Sequence, residues 1–180
     1  MEKLVAALQK LKIGDPMQPD TYYGPLINER AARTVEDQVA YTVSQGAKCV
    51  LGGTRYDHTY FPPTVLTGVT VEMDIAKEME VFGPVFPIIP FETVEEALEI
   101  ANAAPYGLSS GVMTKDIKTA FTVAAGIQAG TCVINGSGNY RSAHLAFGGY
   151  KMTGLGREGV TQTLEEYTQT KSIALKQLLG

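Results

Sequence analysis

From Val85 to Ile134, apolar strand-like runs alternate with capped helical stretches, and this order confines the chain to a parallel-sheet α/β architecture. Val85 to Phe91 is apolar and strand-like. Thr93 and Glu96 then form a capping box that opens a helix through Ala97, Leu98 and Ala101. Ser110 to Met113 is the second strand. Asp116 caps the next helix, which carries Ile117, Ala120, Phe121 and Ala124 and ends at Gly126 or Gly130, and Thr131 to Ile134 is the third strand. Strands that are apolar throughout, rather than alternating, belong to parallel sheets covered on both faces. Right-handed crossovers should join them. The expected fold is a three-layer strand-helix-strand-helix-strand unit.

The flanks are simpler. Met1 to Leu11 has helical spacing, with Leu4, Leu8 and Leu11 on one face. Ile13 to Ile27 holds three prolines and two glycines and reads as a loop. Asn28 is a good N-cap for a helix carrying Val35, Val39 and Val43, which Gly46 stops before a short strand at Cys49-Val50-Leu51. After Asn135 a Gly- and Ser-rich loop lasts until about Arg157, a length usually found where a loop is functional. Val160 to Tyr167 is a short helix. Gln169 to Lys176 then alternates like a strand that needs an edge to pair with, so residues 1–167 and 168–180 read as a domain portion and a terminal edge strand.

A net charge of −4 and a pI of about 5.2 exclude a nucleic-acid or anionic-membrane surface. No apolar run is long enough for a signal-peptide core or a membrane span. Two cysteines, Cys49 and Cys132, suggest neither a disulfide framework nor a zinc site, and the plain expectation is a reducing cytoplasm. Both lie in predicted strands, where a free thiol is a small, inert, buried apolar group. Gly52-Gly53 and Gly154-x-Gly156 do not link a strand to a helix as a dinucleotide fingerprint would, so they are turn glycines.

Two stretches could carry chemistry. Glu80-Val81-Phe82-Gly83-Pro84 presents a carboxylate able to accept two hydrogen bonds, although Glu80 alone reads as the end of a solvated charged run from Glu72, and Phe82 alone reads as core. Phe147-Gly148-Gly149-Tyr150-Lys151 lies in the long loop, where Phe147 alone reads as an anchor that plugs the core. Just upstream, Arg141 could pair with a substrate carboxylate bidentately or form a surface ion pair. His144 has no partner at ligand spacing and reads as a solvated loop residue.

These stretches resemble the C-terminal part of the NAD(P)-dependent aldehyde dehydrogenase superfamily. The resemblance runs from Ile13-Gly14-Asp15-Pro16 and Gly24-Pro25-Leu26-Ile27 through Pro63-Thr64-Val65-Leu66, Glu78 to Val85 and Tyr106-Gly107-Leu108-Ser109, to Gly130-Thr131, Asn135 and Gly154 to Glu158. It implies that Glu80 holds the nicotinamide ribose of NAD or NADP, that Phe82 packs beside the nicotinamide, and that Phe147 lines the aldehyde tunnel. It also implies that the final strand adds to a neighbouring subunit's sheet.

Such chemistry needs a thiolate nucleophile, oxyanion donors, a hydride acceptor and a base. The family's Gly-Gln-x-Cys segment and its glutamate base would fall before Met1. The sequence therefore reads as a fragment, inactive alone and completed by the missing N-terminal part. Its Phe86-Pro87-Ile88-Ile89 and Asn139-Tyr140-Arg141 stretches are similar to members acting on small or semialdehyde substrates, such as lactaldehyde or succinic semialdehyde. A second reading, from a different class, is a non-catalytic assembly module that uses the Leu4/Leu8/Leu11 stripe and the terminal strand to pair with itself or with a full-length relative.

Overall fold

A computed structural model describes residues 1–177, so residues 178–180 of the terminal segment lie outside the described residues. The chain divides into two compact units, Met1–Ala104 and Pro105–Gly180.

The first unit contains α1 (Glu2–Leu8), α2 (Glu29–Ser44), β1 (Lys48–Leu51), β2 (Thr64–Thr67), α3 (Asp74–Lys77), β3 (Val85–Pro87) and α4 (Val94–Ala103). Helix α2 starts where expected: the Asn28 Oδ1 accepts from the Ala31 amide at 2.8 Å. It stops before Gly46, whose φ of 115° few other residues adopt. Val35 and Val39 are buried, but Val43 is 40% exposed and Thr42 takes the third inward position at 0%. The reason is the helical period: a seven-residue step returns to nearly the same face, whereas eight residues overshoot it by about 80°. The Thr42 hydroxyl is satisfied there by the Gln38 carbonyl at 2.8 Å.

Strand β2 is the centre of this unit. It pairs antiparallel with β1 (Cys49↔Leu66) and parallel with β3 (Val65↔Phe86). Leu66, Phe61, Val69 and Met73 join Val35, Val39 and Ala47 in one core. Strand β3 is shorter than the expected Val85 to Phe91 because Pro87 and Pro90 donate no ladder hydrogen bonds. It joins β2 and not the later strands, so the expected three-strand parallel series is divided between the two units. Leu8 is buried, and Leu4 and Leu11 are half-buried. The N-terminal stripe is thus partly used within the chain itself.

In the second unit are β4 (Tyr106–Gly107), β5 (Ser109–Val112), α5 (Ile117–Gly126), β6 (Thr131–Ile134), β7 (Tyr150–Lys151) and α6 (Val160–Glu166). Strands β5 and β6 pair in parallel, Ser109↔Thr131 through Val112↔Ile134, with α5 as the crossover between them. Asp116 caps α5, its Oδ2 accepting from the Thr119 amide at 2.8 Å. The α/β class with parallel pairing is as expected, but cover on both faces is not. Only Ala120 of α5 is buried, while Ile117 is 67% and Phe121 63% exposed.

The alternating segment at 169–176 is not a strand. Residues 169–177 are exposed and, among the described residues, make no backbone hydrogen bond. An edge strand exists only against a neighbour, and the described chain offers it none. No helix of the described residues is long and apolar enough to cross a membrane.

Candidate functional site

Glu80 and Phe82 lie in the first unit, on the connection from α3 to β3. Side chains alternate along this stretch: Val81 packs on the core, while Glu80 and Phe82 face solvent. Phe82 is 76% exposed, which removes the core reading of that ring. The segment is nonetheless fastened. The Glu80 carbonyl accepts from Gln38 Nε2 at 2.9 Å, and the Thr64 amide donates to the Pro84 carbonyl at 2.8 Å. Gly83 seats against helix α2, where an added Cβ would meet both Val35 methyls at 2.9 Å.

The charged run is not uniform. Glu72 pairs with Lys77 Nζ at 2.6 Å, but the Glu80 carboxylate has no ion pair or hydrogen-bond donor among the described residues. An unpaired carboxylate and an exposed aromatic ring, two residues apart on a braced loop, suit a ligand that brings two hydroxyl donors and a flat ring. A ribose joined to a nicotinamide has both features, so the residues present fit that group.

Arg141 and Phe147 lie in the second unit, in the loop that follows β6. Asn135 turns the chain out of the strand with φ 56°, and its Oδ1 accepts from the Thr114 amide at 2.9 Å. Far from being unstructured, the loop is stapled at its other end. Phe147 and Glu158 exchange backbone hydrogen bonds of 2.7 and 2.6 Å, and β7 pairs antiparallel with β4. Gly148 follows directly, and its carbonyl lies where any side chain at Gly130 would have to stand. Arg157 Nη1 donates to the carbonyls of Gly149 at 2.9 Å and Gly156 at 2.7 Å.

Phe147 is half-buried, and the Arg141 guanidinium carbon stands 3.4 Å from its ring centroid. This cation–π contact differs from both sequence readings of Arg141, since it is neither a surface ion pair nor, within the chain, a carboxylate pair. Sequence reasoning named both residues but missed their stacking, because a six-residue separation in an irregular loop carries no periodic signal. It also passed over Arg157, the clamp of the loop. Beside the stack's own segment, residues from Val133 to Tyr140 line an open depression of about 570 Å³. His144 is exposed, and its backbone amide donates to Ser142 Oγ at 3.4 Å.

The cysteines require one correction. Cys132 is half-buried on β6, but Cys49 is exposed on β1, because β1 is an edge strand of its sheet. The Cys49 thiol donates to the Leu51 and Gly52 carbonyls at 3.2 and 3.6 Å, and among the described residues no general base bonds to it. Neither thiol has the surroundings of a nucleophile. Among the described residues no cluster of His, Cys, Asp and Glu could hold a metal ion.

The aldehyde dehydrogenase family profile matches residues 1–173. The chain is 43% identical over 183 residues to the 4-trimethylaminobutyraldehyde dehydrogenase of Homo sapiens, covering 97% of this chain and 37% of that protein. It superposes on the NAD+ complex of an aldehyde dehydrogenase from Bacillus cereus with a TM-score of 0.88 at 40% identity, over 96% of this chain and 35% of that one. A glyceraldehyde-3-phosphate dehydrogenase from Methanocaldococcus jannaschii, complexed with NADP, gives 0.85 at 39% identity, over 92% and 35%. The chain spans just over a third of the length of each.

Proposed function

The chain belongs to the aldehyde dehydrogenase family, and from that premise we propose that it is the C-terminal part of an enzyme that oxidises an aldehyde to a carboxylic acid with NAD or NADP. Glu80 accepts hydrogen bonds from the hydroxyls of the nicotinamide ribose, and Phe82 sets the face on which the nicotinamide rests. Phe147 and Arg141 form part of the aldehyde tunnel. The bound dinucleotide supplies the hydride acceptor, while the residues of this chain orient it and exclude water from one wall.

The observation that carries the reading is the braced exposure of Glu80 and Phe82. A carboxylate without a partner and a ring 76% exposed stand on a segment held by Gln38, Thr64 and Val35, so both groups are presented to solvent from a fixed position where a ligand can reach them. Neither thiol is placed to attack an aldehyde, so the nucleophile and base come from a preceding part of the enzyme. Residues 1–167 are the catalytic-domain portion and 168–180 the assembly segment, which takes strand form against a second copy. The enzyme works in the cytoplasm.

The purified 180-residue chain, given NAD+ or NADP+ and an aldehyde, forms no NAD(P)H. Assembled with the nucleotide-binding and thiol-bearing part of a relative, it does, and Glu80→Gln then raises the KM for the dinucleotide more than it lowers kcat. Steady NAD(P)H formation by the chain alone would overturn the division of labour. An active assembly indifferent to Glu80→Gln would remove Glu80 from the site.

The assembly-module reading is weaker, because Leu8, one of the residues it needs exposed, is buried in the chain's own fold.

A further inference from the structure

We propose that Gln38 is a positioning residue of the dinucleotide site: it strengthens binding of the nicotinamide end by fixing the main chain of Glu80, and it does so at the expense of stability. The inference rests on the preceding reading, that the Glu80 carboxylate holds the nicotinamide ribose.

The first observation is one of helix geometry. Val35 and Gln38 are three residues apart on α2, so they share a face at successive turns. The two points they hold are also three residues apart. Val35 closes on Gly83, where an added Cβ would meet both of its methyls at 2.9 Å, and Gln38 Nε2 donates to the Glu80 carbonyl at 2.9 Å. One helix face thus grips both ends of the segment from Glu80 to Gly83, while Val81 between them packs on the core. The helix is itself fixed at this level, since Val39 beside Gln38 is buried and the Thr42 hydroxyl donates to the Gln38 carbonyl at 2.8 Å.

The second observation is the other half of the same amide. Gln38 Oε1 is covered, and no donor among the described residues reaches it. The amide cannot turn over to relieve this, because the flip would set Oε1 against the Glu80 carbonyl, acceptor against acceptor. A hydrogen bond close to solvent adds little to stability, whereas a covered acceptor left without a donor costs more than such a bond contributes. An apolar side chain of the same length would therefore serve the fold better at this position. What only the amide can do is hold the Glu80 carbonyl.

The third is the division within Glu80. Its carbonyl is held, but its carboxylate has no ion pair or hydrogen-bond donor among the described residues. The carboxylate is free to take two hydroxyls on a backbone that a ligand does not have to order when it binds. Gln38 acts on the dinucleotide only through this backbone.

The test uses the chain assembled with the nucleotide-binding and thiol-bearing part of a relative, and compares Gln38→Met, Glu80→Gln and the two together. Methionine keeps the length and bulk of the side chain and removes both the donor and the covered acceptor. Gln38→Met should raise the KM for the dinucleotide by about fivefold, the worth of one hydrogen bond, and lower kcat less. In the Glu80→Gln background the same change should have no further effect, because the group it positions is gone. The 180-residue Gln38→Met chain should unfold in urea at the midpoint of the parent or above it, while NMR relaxation shows the amides of Glu80, Val81 and Phe82 becoming more mobile. An unchanged KM in Gln38→Met beside a raised one in Glu80→Gln would overturn the proposal and leave the ribose reading standing. An equal rise of KM in both backgrounds, or a lowered urea midpoint, would overturn it in the same way, by showing that Gln38 acts elsewhere or serves the fold. Glu80→Gln without any effect would remove the ribose reading, and this proposal with it.

Discussion

Gln38 Nε2 lies 2.9 Å from the carbonyl oxygen of Glu80, a bond that spans 42 residues of chain. It ties the turn bearing Glu80 to the middle of α2, the best-packed helix of the first unit. Gln38→Ala should free that turn while leaving the helix in place. Chymotrypsin then cleaves after Phe82 faster than in the parent, with a loss of stability of about 1 kcal/mol or less. Unchanged cleavage would mean that the turn is held by Gly83 and Pro84 alone.

Gly83 is the second brace. A methyl added there meets two Val35 methyls at 2.9 Å, and Val35 is 2% exposed and has no room to retreat. Gly83→Ala should therefore cost about 2 kcal/mol as an overpacked contact. Urea denaturation measures it, and pairing it with Val35→Ala, which opens the space, should recover part of the loss.

Leu66 and Val43 give opposite outcomes for one kind of truncation. Leu66 is 0% exposed in the core of the first unit and Val43 is 40% exposed. Leu66→Ala should destabilise by about 3 kcal/mol, and Val43→Ala by no more than about 0.5 kcal/mol. Equal midpoints in urea for the two variants would contradict the inward placement of Thr42.

Tyr23 donates its hydroxyl to the Phe61 carbonyl at 3.0 Å. Burial, and secondarily the neighbouring phenol of Tyr56, push its pKa up to about 12. A folded pKa raised above the unfolded value means that the neutral form is favoured by folding. That contribution is complete below the unfolded pKa of about 10 and is lost as pH rises to about 12. Tyr41 and Tyr56 are also shifted upward, so absorbance of phenolate should show a late-ionising group of tyrosines from which Tyr23→Phe removes one, at a stability cost of about 1 kcal/mol from the lost hydrogen bond.

How much was legible in the sequence follows the range of the interactions. The caps at Asn28, Thr93 and Asp116 were readable because each is closed within three residues, as the Thr93 hydroxyl accepting from the Glu96 amide illustrates. The β5–α5–β6 crossover was readable from its apolar runs. The partner of β3 was not, since its three residues match β2 by register alone and carry nothing that names a neighbour. Pairs as short as β4 with β7 give too few positions for any pattern. At the candidate site, Glu80 and Phe82 were visible only through the motif they share with a family, because a carboxylate in a charged run and one aromatic ring are ordinary features. The Arg141–Phe147 stack was invisible, being the product of a loop folded back on itself.

The bare segment at 169–177 is also a clock. Amides with no protein acceptor exchange with solvent at the rate of an unfolded chain, whatever the stability of the body that carries them. Pairing against another strand would slow them together, by the factor that the pairing itself is worth. Exchange along these nine residues therefore reads the association of this chain directly, in a signal that the folding of the remainder does not touch.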